Sequence, residues 1–249
     1  MQQYFVNGRA PQEGIVTIAD RDTAKHMFSV MRLQAGDEVI LVFDDGIKRL
    51  ARVVDSQSQS VELIQELADN VELPVSVTIA MGFPKGDKLE FVAQKATELG
   101  MAAFWAFPAD WSVVKWDGKK LVKKVEKLEK IVQGAAEQSK RNCIPTIRLF
   151  EKKADFLAQL AGFDRIILAY EEAAKEGEHV NLVNILSDLQ MGQSVLVIVG
   201  PEGGVSPDEV IMFEGAGAIK TGLGPRILRA ETAPLYALSA ISYAMELLK

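Results

Sequence analysis

The hydrophobic and polar positions of this chain change rhythm once, near residue 70. Before that point short apolar stretches alternate with polar ones: QYFVN, VTIA, DEVILVFDDG, IKRLARVVDS and SVELIQEL. Alternation over a few residues is the period of a half-buried strand. Asp44-Asp45-Gly46 between two such runs is a hairpin signal. One segment, DTAKHMFSVMRL, departs from the pattern: His26, Val30 and Leu33, or Met27 and Met31, recur at helical spacing. The expectation is a compact β-barrel over residues 1–72, with the seam at residues 70–74 where a proline ends the strand pattern.

From Val75 onward strands and helices alternate. VSVTIAMGF, AAFWAFP, RIILAY, VLVIV and AIKTGL read as strands, and an unbroken apolar run such as VLVIV suggests burial on both faces, as in a parallel sheet. KGDKLEFVAQKATELG reads as a helix ended by Gly100. Residues 119–138 form a helix with Leu121, Val125, Leu128 and Val132 on the buried side and lysines opposite. VNLVNILSDL, SPDEVIMFEGAG and ETAPLYALSAISYAMELL supply the remaining helices. The predicted class over residues 73–249 is α/β with a mainly parallel sheet.

Candidate chemistry gathers in two glycine-bearing loops near the C-terminus. VLVIVGPEGGVSPDEV places Gly-Pro-Glu-Gly-Gly after a strand, and TGLGPRILRAETAPLYALSAISYAM feeds Arg226, Arg229 and Glu231 into an apolar helix. Glycines at the carboxyl end of a parallel strand let the backbone approach a ligand. The loop lacks the Gly-Lys-Ser/Thr of a triphosphate site and the Gly-x-Gly-x-x-Gly of a dinucleotide site. Glu202 would repel a pyrophosphate, and Pro201 offers it no N–H. A ligand with a positive centre, or one held by backbone bonds to an adenine and a ribose, suits the loop better.

Composition narrows the setting. With 48% hydrophobic and 25% charged residues the chain is that of a globular protein, and its apolar runs are strand-sized, too short for a membrane span. The start, MQQYFVNGRAPQEG, lacks the regions of a signal peptide. Cys143 is the lone cysteine and there are two histidines, so neither an internal disulfide nor a metal site is expected. A cytoplasmic protein is the expectation. Net charge is −6, which weighs against nucleic acid, but the charge is uneven. Residues 1–72 hold seven Lys/Arg and twelve Asp/Glu, whereas residues 115–141 hold nine basic and four acidic side chains. That basic run is either a solvated helix face or a polyanion contact.

Five blocks carry a resemblance that spans essentially the whole chain: HMFSVMR, KGDKLEFVAQKATELG, AAEQSKRNCIP, VGPEGGVSPDE and LGPRILRAETAPLYAL, with YFV near the start. On them the chain resembles the ribosomal RNA small subunit methyltransferase E family, of the SPOUT superfamily. The family methylates N3 of a uridine in 16S ribosomal RNA with S-adenosylmethionine. The resemblance implies a methyltransferase domain whose C-terminal chain threads a trefoil knot, a preceding PUA-like β-barrel that binds RNA, and a homodimer. Two places depart from the family: Gln3 stands where an arginine is usual, and Asp110-Trp111-Ser112 where Glu-Arg-Ser is usual. Both changes remove a cation suited to phosphate.

In that fold the cofactor would sit among the end of RIILAYEE, the GPEGG turn and LGPRIL. Leu168, Tyr170, Gly200, Glu202, Gly203, Leu223, Gly224, Ile227 and Leu228 are the implied cofactor-binding residues, with backbone groups of Tyr170, Gly200, Leu223 and Leu228 serving adenine and ribose. Glu202 either meets the sulfonium or ribose, or caps its own loop. Arg229 is the candidate catalytic cation, because attack by uracil N3 develops negative charge on the ring oxygens. Glu231 is the candidate base if burial raises its pKa; the competing reading pairs Arg229 and Glu231 structurally, with Glu-Thr capping the last helix. His26 reads as a packed or RNA-contacting residue. Arg32, Lys85, Lys95, Lys140 and Arg141 are the expected phosphate contacts, and Phe83 or Trp111 could stack on an extruded base. Leu235, Leu238, Ile241 and Met245 share a face of the last helix, which is either a dimer surface or intramolecular core. Two alternatives stay open: a SPOUT enzyme with another RNA target, and a non-catalytic RNA-binding or ribosome-assembly protein.

Overall fold

The computed structural model describes residues 1–175 and 180–248. The chain forms two compact units: Met1–Glu72 with Ala136–Ile144, and Leu73–Ala135 with Pro145–Lys249.

In the first unit, strands β1 (Gln2–Val6), β2 (Gly14–Thr17), β3 (Glu38–Phe43), β4 (Lys48–Asp55) and β5 (Ser60–Leu67) form one sheet in the order β1-β3-β4-β5-β2. The pair β1 and β3 is parallel and the rest are antiparallel, with β1 and β2 at the two ends of the ladder. The hairpin at residues 44–46 joins β3 to β4, as the Asp-Asp-Gly signal predicts. Alternate residues Val39, Leu41, Ala51, Val53, Val61 and Leu63 point into a core closed by Tyr4, Ile18 and Met27. Met27 belongs to the helical segment α1 (Arg21–Ala24), which Asp20 caps through the Thr23 N–H at 2.7 Å and which continues as a wider turn over Lys25–Val30.

The segment Ala136–Ile144, expected in the second domain, belongs to this unit because its polar groups are paired there. The Arg141 guanidinium meets the Glu72 carboxylate through Nε at 2.8 and 2.9 Å. The Asn142 side chain donates to the Gly46 and Asp69 carbonyls, both at 3.1 Å, and the Lys48 ammonium reaches Asp69 and the Lys140 carbonyl. Gln3, expected as a lost phosphate contact, is buried and donates to the Arg141 carbonyl at 2.7 Å.

The second unit is a six-stranded sheet in which every pair is parallel, in the order β11-β9-β10-β6-β7-β8. The strands are β6 (Ser76–Gly82), β7 (Ala103–Phe107), β8 (Thr146–Leu149), β9 (Arg165–Ala169), β10 (Ser194–Val199) and β11 (Ala218–Thr221). Central β6 and β10 are buried along nearly their whole length, while edge β8 is half-exposed, which is why the former read as unbroken apolar runs. Helices α2 (Lys88–Glu98), α3 (Gly118–Gln138), α4 (Lys153–Leu157), α5 (Glu171–Lys175), α6 (Asn181–Asp188), α7 (Pro207–Gly215) and α8 (Thr232–Ser242) connect or follow them. On one side Phe107, Phe156 and Phe213 pack on Leu168 and Ile198, with Phe107 and Phe156 stacked at 4.2 Å. The sequence alone missed β8, α4 and α5, which are too short to show a period. Leu238 and Ile241 of α8, and Met245 in the wider turn Tyr243–Leu247 that continues it, are buried within the chain, so of the two readings of this face the structure shows core. Tyr236 of α8 and Tyr243 at the start of the turn are exposed.

Candidate active site

Because β6, β9, β10 and β11 are parallel, the segments that leave them at Gly82, Ala169, Val199 and Thr221 emerge on one edge of the sheet, where ligands of open α/β folds bind. They bound a cavity of about 490 Å3, lined by residues 169–172, 199–205 and most of 223–233, together with Lys88 and Trp111.

The glycines here are demanded by contact. A Cβ on Gly200 would lie 2.4 Å from the Gly204 backbone, and one on Gly203 would lie 2.9 Å from the Trp111 Cβ. The loop therefore folds back on itself under the indole, and side chains at either position would unmake the wall. Its far end is fixed by a capping box at α7: Ser206 accepts from the Glu209 N–H at 3.1 Å and Glu209 accepts from the Ser206 N–H at 3.1 Å.

Trp111 is mounted on the same network. Glu209 is fully buried, pairs with Lys153 at 2.7 Å and accepts from the Asp110 N–H at 2.9 Å. The Asp110 carboxylate takes the Ser206 hydroxyl at 2.7 Å and also meets Lys153. Lys153, then Ser206, hold the Asp110 carboxyl below its usual range. A buried carboxylate is costly unless paired and hydrogen-bonded, and Glu209 is both. The result is an indole 46% exposed on a rigid base at the cavity. Asp110-Trp111-Ser112 thus anchors the glycine loop.

Lys88, in the first turn of α2, joins the two glycine loops. Its ammonium lies 3.0 Å from Glu202 and 3.1 Å from Glu231. Glu202 also accepts from the Lys85 N–H at 3.0 Å. Burial pushes both carboxyls up, but for each the residue's own backbone N–H and the Lys88 ammonium outweigh it and leave the carboxyl below its ordinary value. Burial likewise pushes Lys88 down, and the two carboxylates more than restore it. Glu202 therefore caps and ties its loop. The premise that burial raises Glu231 into a base is corrected, since the ammonium beside it holds it ionised.

Of the expected cofactor residues, Tyr170, Gly200, Glu202, Gly203, Leu223, Gly224, Ile227 and Leu228 all line the cavity. Leu168 does not; its side chain is in the core and Ala169 lines the wall instead. Arg229 lines the cavity with 85% of its side chain exposed and its nearest guanidinium nitrogen 4.0 Å from Glu231. Arg226, named in the second glycine loop without a role, also lines it, as does Lys88, which the sequence did not single out. Lys88 follows the loop leaving β6, so the rule that ligands gather at strand carboxyl ends carried the missing signal.

The expected phosphate contacts divide. Arg32 and Lys85 are exposed, Arg32 with a left-handed backbone at φ 56°. Lys95 pairs with Glu98 at 2.8 Å. Arg141 is corrected: it is 2% exposed and its charge is committed to Glu72. Lys140 is half-buried and donates to the Met1 carbonyl at 2.9 Å. His26 packs edge-on against Tyr4, with Nδ1 3.2 Å from the hydroxyl, and Phe83 is core. Among the described residues no cluster of side chains suits a metal ion, and no helix is long and apolar enough to cross a membrane.

A parallel sheet with a glycine-walled cavity at its carboxyl ends, in a chain with a second, five-stranded unit, is the frame of a ligand-binding α/β protein. Family models give the class: an RNA methyltransferase domain matches residues 71–242 and an RNA methyltransferase PUA domain residues 18–66. The chain is 44% identical to the ribosomal RNA small subunit methyltransferase E of Bacillus subtilis, over 100% of this chain and 99% of that protein. It belongs to the ribosomal RNA small subunit methyltransferase E family. Solved structures agree in fold. A Legionella pneumophila protein described as a putative methyltransferase with bound cofactor SAM superposes with a TM-score of 0.82 at 28% identity, covering 97% of each chain. The Neisseria gonorrhoeae ribosomal RNA small subunit methyltransferase E bound to S-adenosyl methionine does so with 0.80 at 25%, also covering 97% of each.

Proposed function

We propose that this protein methylates N3 of a uridine in 16S ribosomal RNA, in the small ribosomal subunit, using S-adenosylmethionine bound in the cavity. The observation that carries the reading is the cavity itself, at the ends of four parallel strands and walled by the two glycine loops that Lys88 joins. Its size falls in the range of small-molecule sites. Gly200 and Gly203 let the loop pack on its own backbone and on Trp111, where a Cβ would collide. Glu171, Glu172 and Glu202 line the cavity together with Lys88, Arg226 and Arg229, which suits a ligand carrying both a cation and a carboxylate. Backbone groups of Tyr170, Gly200, Leu223 and Leu228 would hold its adenine and ribose. When bound, the cofactor supplies an electrophilic methyl group.

The chain's own part is orientation and charge. Glu202 and Glu231 are both held ionised by Lys88, so their task is to fix the loops. Arg229, largely unpaired, stabilises the negative charge that appears on the uracil oxygens as N3 loses its proton and attacks. Trp111 offers a stacking face for the extruded base. The C-terminal segment threads as in the family, and two copies associate through the exposed Tyr236 of α8 and Tyr243 just beyond it; its substrate places the enzyme in the cytoplasm. The test is to map methylated nucleotides in 16S RNA from cells with and without the protein. Loss of a single N3-methyluridine is expected. An unchanged small-subunit map, with a mark missing from another RNA, would overturn the assignment.

A further inference from the structure

We propose that the lysine face of α3 is a rail for the phosphates of the RNA substrate, adjoining the cavity; the proposal rests on the RNA-methylating reading above. Six lysines of α3, at 119, 120, 123, 124, 127 and 130, fall within an arc of about 140° on a helix of 3.6 residues per turn. That arc lies opposite Leu121, Leu128 and Val132, which are buried. Like charges four residues apart destabilise a helix by a few tenths of a kcal/mol per pair, and this face holds three such pairs: 119 with 123, 120 with 124, and 123 with 127. A solvated face needs no such row. A polyanion laid along it relieves the repulsion.

The internal pairing shows which cations are available. Glu90 of α2 takes Lys124 at 3.3 Å and Lys127 at 2.9 Å. Those two charges fasten α3 to α2 and are partly neutralised. Lys119, Lys120 and Lys123 are exposed and form no ion pair with any described residue, and the same holds for Lys115 just before the helix. In a chain of net charge −6 this is a local concentration of unpaired positive charge.

One contact path runs from the row to the cavity wall. The Lys124 ammonium sits 4.6 Å over the Trp116 ring, and Trp116 packs on Phe83 at 4.4 Å. Phe83 follows Gly82, where a Cβ would meet Pro201 of the glycine loop at 2.5 Å. A strand whose target base enters the cavity can therefore lay its flanking phosphates on Lys119, Lys120 and Lys123. None of the residues that the resemblance suggested for RNA lies on this face.

The experiment compares wild type, the triple variant K119Q/K120Q/K123Q and the charge-preserving K119R/K120R/K123R. Glutamine and lysine have similar helix propensity, so melting curves should coincide. Binding to 16S RNA and to small subunits is measured across a salt series, with cofactor binding by calorimetry and methyl incorporation read separately. Without these three ammonium groups to neutralise phosphates, the slope of log Kobs against log salt should become shallower by about 2 to 3, from roughly 0.7 to 0.9 per phosphate. KM for subunits should rise at least about tenfold, with kcat at saturation and cofactor affinity unchanged, and the arginine variant should behave as wild type. A triple glutamine variant with the wild-type slope and KM would overturn the rail. So would stronger competition by poly-glutamate than by RNA of equal charge, which would assign the face to an acidic protein. Absence of methyl incorporation by the wild type would reject the underlying function while leaving the salt-slope result to decide the rail.

Discussion

The ammonium of Lys88 stands 3.1 Å from the carboxylate of Glu231 and, on its other side, 3.0 Å from Glu202. One charge in the first turn of α2 thereby joins the GPEGG loop to the start of α8, the two segments that wall the cavity. The side chains are roughly a quarter exposed, so the pairs contribute modestly to global stability, about 1 kcal/mol or less each. Their effect is on loop geometry.

Lys88→Met should therefore lower the affinity for S-adenosylmethionine by about tenfold, equivalent to 1.4 kcal/mol, while shifting the melting temperature little. Lys88→Arg should recover most of the loss. Calorimetry on both variants checks this; unchanged affinity in the methionine variant would show that the loops hold without the ammonium. The sign of the pH effect follows from the depressed carboxyls. Because Glu202 and Glu231 lie below their usual value in the folded protein, their contribution is complete above about pH 4.5 and fades as pH falls through the depressed values. Cofactor affinity of the wild type should hold at pH 5 and be lost below that window.

Arg229→Ala should reduce turnover by about a hundred- to thousandfold, the usual cost of removing one donor to a developing oxyanion, and leave cofactor affinity nearly unchanged. Glu231→Gln is the comparison. Since Lys88 keeps Glu231 ionised, the glutamine variant should weaken cofactor binding without removing a limb from the pH–rate profile. Loss of an acidic limb in that variant would restore Glu231 as the base. Joint loss of stability and cofactor binding in Arg229→Ala would make the arginine structural.

Trp111 sits on Gly203 and Gly204 with nearly half its surface open. Trp111→Ala should raise KM for RNA by about five- to a hundredfold, given about 1–3 kcal/mol for an aromatic–base stack, and Trp111→Phe should recover most of it. Because the indole also covers the glycine loop, cofactor affinity is measured in both. A loss confined to cofactor affinity would assign Trp111 to the wall alone.

Glu72→Gln should destabilise the first unit by about 3–5 kcal/mol, since it leaves the buried Arg141 guanidinium without its counter-charge. Burial pushes the Glu72 carboxyl up, and the Arg141 guanidinium more than reverses it, so the group titrates below its usual range. Its stabilisation is present above about pH 4.5 and is lost as acid protonates it. Chemical denaturation at pH 7 and pH 3 should show the variant and the wild type converging at the lower pH. A constant gap between them would reject the pairing as the cause.

What the sequence determined by itself was everything written in local periodicity. Alternation marked β3, β4 and β5, unbroken apolar runs marked β6 and β10, and a buried stripe opposite lysines marked α3. The run SPDEVIMFEGAG marked α7, and the two glycine loops located the cavity. The order of the strands, the burial of Arg141 and Gln3, the return of Ala136–Ile144 to the first unit and the position of Lys88 between Glu202 and Glu231 belong to the tertiary structure. Arg141 and Lys123 look alike in sequence, each a cation in a basic stretch. Arg141 is paired with a carboxylate 69 residues away, and Lys123 faces solvent. A charge shows its partner only when the chain has brought the partner to it, because Coulomb attraction and hydrogen bonding act over a few ångströms of space without regard to separation along the chain.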